Sequence, residues 1–159
     1  MASEPFVDPT SLDLSNAAFS KEQVLGLNRQ RYEFEQLDKL IELDVEEGFA
    51  IGLKRQSPEE FWVRGHIPGR PLMPGVLMIE MAAQVSSLIF HLKFDPEGEK
   101  FFGFAGVNNV KFRGGVEPGD DLVMVVKATR LRSRMASFDA QGFVGDKFVF
   151  EGEITGIVL

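Results

Sequence analysis

The sequence predicts an α+β fold in which one antiparallel sheet wraps around one long central helix. Three observations favour it: a long apolar segment in the middle of the chain, strand patterns on both sides of that segment, and a length of 159 residues, which suits one domain. The hydrophobic fraction of 44% allows a sizeable core. We expect an irregular N-terminal arm over 1–18 and the folded domain over 19–159.

The first half of the chain predicts a short helix and then two strands. Ser20, followed three residues later by Gln23, fits a capping box, which predicts a helix over about 20–28. The segment from Tyr32 and Phe34 to the apolar run 40–43 indicates the first strand. The remaining strands are predicted from β-branched and aromatic residues between turn signals, at 49–56, 101–112, 122–131, 135–143 and 147–157.

The segment 74–92, between the two groups of strands, is apolar on nearly every face, and Glu80 is its only formally charged residue. Pro74 suits the first helical position, where its missing N–H costs nothing. Such a helix is about 28 Å long, which raises the question of a membrane span. We reject a span because polar residues lie in the middle of the segment and strands on both sides need something to cover. A helix that is apolar all round is more simply enclosed by protein, as in the hot-dog arrangement.

Charge and composition exclude several classes of function. The net charge of −7 and the pI near 4.9 argue against nucleic-acid binding. There is no cysteine, and the two histidines, His66 and His91, are 25 positions apart, so we expect no metal site. The opening residues carry acid and proline where a signal peptide needs a basic start and an apolar run. We therefore expect a cytoplasmic protein.

The stretch 65–76 contains three prolines and three glycines, which fix the backbone without regular structure. His66 is either a hydrogen-bonded turn residue or a reactive group held in a chosen place, and the second reading is favoured. Glu80 lies on a helix without a polar face, so we expect a buried carboxyl with a perturbed pKa. Gln84, one turn later, either stabilises the core or orients Glu80. We interpret His91, in the last turn, as structural.

These groups suit a β-elimination or its reverse. Histidine titrates near neutrality and can take a proton from the α carbon. A carboxyl whose pKa is raised by an apolar site can protonate the departing β-hydroxyl group. The N–H of Gly75, at the positive end of the helix, is placed to stabilise an enolate-like oxygen, and glycine lets a carbonyl approach closely.

The stretch GHIPGRPLMPGVLMIEMAAQ resembles the signature of the (3R)-hydroxyacyl-[acyl-carrier-protein] dehydratases of the FabZ type, a hot-dog family. The step from His66 to Glu80 is 14 residues, which is the family's spacing, and Glu rather than Asp favours the FabZ type. The resemblance covers about 20–158 and includes Phe104-Ala105-Gly106-Val107 and Pro118-Gly119-Asp120.

The resemblance implies that His66 is the general base and Glu80 of the partner subunit the general acid, on a thioester carried by acyl carrier protein. It implies a homodimer, possibly a trimer of dimers, an apolar acyl tunnel, and no cofactor or metal. The residues that would contact substrate are Gly75, Gln84, Pro74, Ile67 and Phe104. Those that would face the acidic carrier protein are Arg70, Lys111 and Arg113.

Three departures from the family pattern leave other functions open. The usual Pro-His-Arg reads Arg29-Gln30-Arg31, Ile67 replaces a common Phe, and Gly103 stands where many members carry a Tyr that lines the tunnel. One alternative is a hot-dog thioesterase, although those enzymes lack the His-x-Pro-Gly element. Another is an acyl-binding paralogue without turnover.

Overall fold

Six antiparallel strands and two α-helices make up the chain in our computed structural model, which describes residues 3–159. The helices are α1 (Lys21–Leu27) and α2 (Gly75–Phe94). The strands are β1 (Lys39–Asp44), β2 (Phe49–Arg55), β3 (Phe102–Phe112), β4 (Asp121–Leu131), β5 (Met135–Val144) and β6 (Lys147–Val158). They form one sheet in the order β1-β2-β4-β5-β6-β3. The predicted hot-dog fold is confirmed.

Helix α2 packs against one face of this sheet, and the main core lies between them. Leu88, Ile89 and Phe90 on the helix are fully buried, as are Phe138 and Phe150 on β5 and β6. Judged by length and composition alone, this helix could cross a membrane. However, 61% of its most apolar 18-residue stretch is buried inside the protein. Its all-round apolar surface is explained by this burial.

The predicted capping box begins helix α1. The Ser20 hydroxyl accepts a hydrogen bond from the Gln23 N–H at 3.2 Å, and the Gln23 side chain accepts one from the Ser20 N–H at 2.8 Å. Each side chain thus satisfies a backbone donor that the first helical turn leaves without a partner.

The prediction that the first strand includes Tyr32 and Phe34 was wrong. These residues form a 3-10 turn, and the strand begins only at Lys39. Tyr32 has a φ of 59°, in the left-handed region, and both aromatic rings are exposed. The Arg31 guanidinium holds the turn by donating to the carbonyls of Leu25, Asn28 and Gln30.

The role of Pro74 also differs from the prediction, because this residue precedes the first helical position and does not occupy it. Its ψ of 128° is extended, so it is the N-cap residue, and the helix begins at Gly75. Its ring still fits this end of the helix, because an N-cap N–H makes no intrahelical hydrogen bond.

The segment before α1 covers the face of the sheet that is turned away from α2. Alternate strand residues form a second apolar cluster there: Ile41, Ile51, Leu53, Val123, Val125 and Phe143. Val7, Leu12 and Leu14 pack against it. The Gln141 side chain fastens the segment by accepting from the Phe6 N–H at 2.8 Å and donating to the Glu4 carbonyl at 2.9 Å.

This packing predicts that the arm contributes to stability. The double variant Leu12→Ser/Leu14→Ser should lower the free energy of unfolding by about 2 kcal/mol, since each side chain is partly buried. Ala17→Ser/Ala18→Ser, at exposed positions of the same segment, is the matched control and should change little. Urea unfolding compares them. Equal midpoints for the two double variants would contradict a stabilising arm.

Candidate active site

His66 lies in the irregular segment between β2 and α2, where backbone hydrogen bonds hold it in place. Its N–H donates to the Trp62 carbonyl at 2.8 Å, and its carbonyl accepts from the Leu72 N–H at 2.8 Å. The ring atom Nδ1 lies 2.7 Å from the Leu72 carbonyl oxygen. A carbonyl can only accept, so Nδ1 carries the proton, and in the neutral ring Nε2 keeps a free lone pair. The exposed ring thus presents a base whose tautomer is fixed.

Glu80 lies in the second turn of α2, half-buried, and faces a cleft between the helix and strands β3 and β6. Burial raises the pKa of the Glu80 carboxyl, while a hydrogen bond from Gln84 opposes that shift in part. A raised pKa favours the protonated carboxyl, which is the form that can donate a proton. The perturbed pKa expected from the sequence is therefore found, and its main cause is desolvation.

Gln84 is buried, and its amide holds the segment after α1 against the helix. Its Nε2 donates to the Phe34 carbonyl at 2.6 Å, and its Oε1 accepts from the Gln36 N–H at 3.1 Å. The Gln84 carbonyl also accepts from the Asn28 side chain at 3.1 Å. Gln84 thus stabilises the core, which is one of the two roles that the sequence left open, and its side chain also opposes in part the rise in the pKa of Glu80.

The cleft in front of Glu80 has a volume of about 100 Å³. Phe104, predicted to contact substrate, is part of its wall, whereas His66 is not. The other lining residues are Gln30, Ala83, Ser86, Ser87, Phe102, Gly103, Ile154, Thr155 and Gly156. Sequence reasoning missed most of these. Gln30 and Gly103 alone carried a signal, as departures from the family pattern.

The remaining predicted site residues lie along the segment that leads into α2 and along β3. Gly75 begins the helix beneath the Phe112 ring, where an added Cβ would approach a ring carbon to 2.9 Å. The structure thus gives a packing reason for this glycine. Ile67 and Arg70 are exposed, as is Lys111 on β3. Arg113 is ion-paired with Glu151.

His91 is buried at the other end of α2, where its Nδ1 lies 2.8 Å from the Asp95 carboxylate. Burial alone would raise the pKa of Asp95, but the Lys100 N–H, the His91 ring and the Glu99 N–H outweigh it and hold the pKa below its ordinary value. These contacts close the turn that follows the helix. They agree with a structural role for His91.

Fold and site together define a hot-dog domain that carries a loop histidine and, on its central helix, a carboxyl whose pKa is raised by burial. Residues 28–153 match the model of the FabA-like domain. The chain belongs to this family.

Curated relatives agree over most of the chain. The 3-hydroxyacyl-[acyl-carrier-protein] dehydratase FabZ of Clostridioides difficile (strain 630) is 38% identical over 133 residues, which cover 84% of this chain and 92% of that protein. The protein of the same name from Paracidovorax citrulli (strain AAC00-1) is 39% identical over 137 residues, covering 83% of this chain and 91% of that protein.

Solved structures of similar shape support the fold alone, because their sequences are distant. The dehydratase heterocomplex ApeI:P from Xenorhabdus doucetiae aligns with a TM-score of 0.71 and 15% identity, over 86% of this chain and 90% of that chain. A mutant thioesterase from Pseudomonas aeruginosa aligns with a TM-score of 0.67 and 17% identity, over 89% of this chain and 95% of that chain.

Proposed function

We propose that this protein is a hydro-lyase of fatty acid biosynthesis that converts (3R)-hydroxyacyl chains on acyl carrier protein into trans-2-enoyl chains. The observation that carries the proposal is the pair of reactive groups at the family's spacing. His66 has a fixed tautomer with Nε2 free, and Glu80 has a carboxyl whose pKa is raised by burial. The relatives named above, whose names state this activity, support it.

In the proposed reaction, His66 Nε2 takes a proton from the α carbon of the thioester. The electrons of that C–H bond form the α,β double bond, passing through an enolate-like state in which the thioester oxygen gains negative charge. The Gly75 N–H, at the positive end of α2, stabilises that oxygen. The bond from the β carbon to its hydroxyl group breaks as Glu80 supplies a proton, and water leaves.

The proposal includes a homodimer in which each site takes His66 from one subunit and Glu80 from its partner. Two features of one subunit support this. Among residues 3–159, those that line the Glu80 cleft do not include His66, and β3 is an edge strand of the sheet. Along β3 the apolar side chains Phe104, Val107 and Phe112 are 50%, 38% and 51% exposed. A second β3 paired with the first would cover both the edge and these side chains.

The wider assembly and the partner belong to the same proposal. Such dimers would act in the cytoplasm, either alone or as a trimer of dimers. Acyl carrier protein, being acidic, would dock beside the histidine loop, where Arg70 is exposed, and near Lys111 on β3. Arg113 follows Lys111 by two residues, but its guanidinium also pairs with Glu151, so part of its charge is neutralised.

Hydration of a 2-enoyl thioester, the reverse reaction, tests the proposal directly. We expect the purified protein to consume crotonyl-acyl carrier protein and to form the 3-hydroxy thioester. The loss of enoyl absorbance measures the rate of this reaction. Free thiol is measured in parallel. Thiol release without hydration would instead indicate a thioesterase. Binding without consumption, across short and long chains, would indicate an acyl-binding protein and would refute the enzyme proposal.

A further inference from the structure

Two cavities lie next to each other along helix α2, and they share a wall. The first is the Glu80 cleft. The second has a volume of about 50 Å³. Its lining residues are Leu27, Arg29, Gln30, Ser87, His91, Phe101 and Phe102. Gln30, Ser87 and Phe102 line both cavities, so these three side chains form the partition between them.

Two members of the partition are fixed by their surroundings. The Phe102 ring stacks on Phe90 with 4.0 Å between ring centroids and 8° between ring planes. It fits there because residue 156 is glycine, where an added Cβ would lie 2.3 Å from a ring carbon of Phe102. Ser87 is held by the regular backbone of α2. Neither Phe102 nor Ser87 can therefore move out of the partition without disturbing the core.

Gln30 differs, because it lies in the irregular segment between α1 and the 3-10 turn at Tyr32–Phe34. Its side-chain oxygen Oε1 is buried and has no hydrogen-bond partner in the structure of residues 3–159. An unsatisfied buried acceptor is unfavourable, so a hydrogen bond to Oε1 does not explain the position of this side chain. The side chain does fill space between the two cavities.

The second cavity is lined in part by apolar side chains. Leu27, Phe101 and Phe102 supply apolar surface, and its two basic side chains are engaged elsewhere. The Arg29 guanidinium lies 5.5 Å from the centroid of the Phe101 ring, and the His91 Nδ1 is bound to Asp95. From Glu80 to Ser87 the helix rises about 10 Å, and from Ser87 to His91 about 6 Å more. A path from the first cavity into the second would therefore suit a longer acyl chain.

We propose that Gln30 closes the end of the acyl site that is farther from Glu80 and thereby limits the length of the acyl chain, with the second cavity as the extension that it blocks. This inference rests on the proposed function, since it assigns the chain-length selectivity of that same site. It concerns a specificity-determining residue, and no step of the chemistry depends on it.

The test compares Gln30→Ala with Gln30→Met, using crotonyl, octenoyl and hexadecenoyl thioesters of acyl carrier protein. Alanine removes the wall, whereas methionine keeps nearly the same length and volume without the amide. The kcat/KM ratio of the longest chain to the shortest should rise at least about tenfold in Gln30→Ala, because each methylene moved from water into an apolar cavity is worth about fourfold. Gln30→Met should keep the wild-type ratio.

An unchanged ratio in Gln30→Ala would overturn the inference. So would an equal change in both variants, which would assign selectivity to the amide's polarity and not to its volume. Binding of saturated acyl thioesters of the same lengths is measured beside turnover, because binding needs no catalysis. If wild type hydrates no chain, the proposed function has failed, and the binding ratios of the two variants still decide whether Gln30 limits chain length.

Discussion

His66→Ala is expected to lower kcat for dehydration between about 10²- and 10⁴-fold, the range that removal of a general base typically costs. In the proposed reaction Nε2 accepts the substrate proton, because the Leu72 carbonyl fixes a proton on Nδ1, and alanine leaves no acceptor there. Because the ring is exposed in one subunit, the loss should fall on the reaction and spare the folded state.

The measurement is enoyl-thioester hydration, beside thermal unfolding of the same preparations. Arg64→Ala is the matched control, since Arg64 is exposed in the same irregular segment and takes no part in the proposed chemistry. A short pantetheine thioester is the substrate, so that loss of a contact to the carrier protein cannot lower the rate. If His66→Ala kept more than about a tenth of the wild-type rate, another group would have to be the base.

Much of the fold follows from local patterns in the sequence. Helix α2 was predictable because it is apolar on all sides, and α1 because Ser20 and Gln23 form a complete capping box. The loop before α2 was predictable as a fixed structure from its prolines and glycines. His66 and Glu80 were singled out as candidates because each is a reactive side chain in a segment that otherwise carries few polar groups, and their catalytic roles stay predictions.

The wrong strand at Tyr32 and Phe34 and the missed cleft residues share a different origin, because they depend on contacts that are distant in sequence. Tyr32 and Phe34 have the apolar character of a strand, yet the Gln84 amide takes the Phe34 carbonyl and the Gln36 N–H out of any ladder. Thr155 and Gly156 on β6 likewise line the cleft together with Glu80 on α2. No local motif marks these residues, since only the sheet order brings them to the helix.

The packing of the N-terminal segment did carry a signal that sequence reasoning left unused. Five consecutive residues of β2 and five of β4 are buried, at 50–54 and 122–126, so both faces of these strands are covered. An antiparallel sheet with one wet face would alternate polar and apolar residues. The continuous apolar runs therefore indicated a second cover, which Val7, Leu12 and Leu14 provide.

Glu80→Gln is expected to lower kcat by about 10²- to 10⁴-fold, because the amide cannot supply the proton that lets hydroxide leave as water. The same change should raise stability at neutral pH. Burial raises the pKa of Glu80, so the folded state holds its proton more tightly than the unfolded chain does. The charged form therefore destabilises the fold as the pH rises above the ordinary carboxyl value of 4.5, and glutamine removes that cost.

Thermal unfolding of wild type and Glu80→Gln, at neutral pH and below pH 4.5, tests whether the charged Glu80 carboxylate destabilises the fold. We expect the variant to unfold at the higher temperature at neutral pH, with the difference shrinking in acid as the wild-type carboxyl gains its proton in both states. Glu42→Gln, at an exposed position of β1, removes the same charge outside the cleft and should leave activity unchanged. A lower melting temperature for Glu80→Gln at neutral pH would show that the carboxylate is a net stabilising group.

Mixing the two inactive variants then tests whether each site spans two subunits. In a dimer of one His66→Ala and one Glu80→Gln subunit, a shared site would combine the intact His66 of one with the intact Glu80 of the other. Random reassortment should therefore restore about one quarter of the wild-type activity, since half of the dimers are mixed and each has one complete site. Sites built within one subunit would stay inactive after mixing. Subunit exchange itself is followed with two different affinity tags, so that absence of recovery is not confused with absence of mixing.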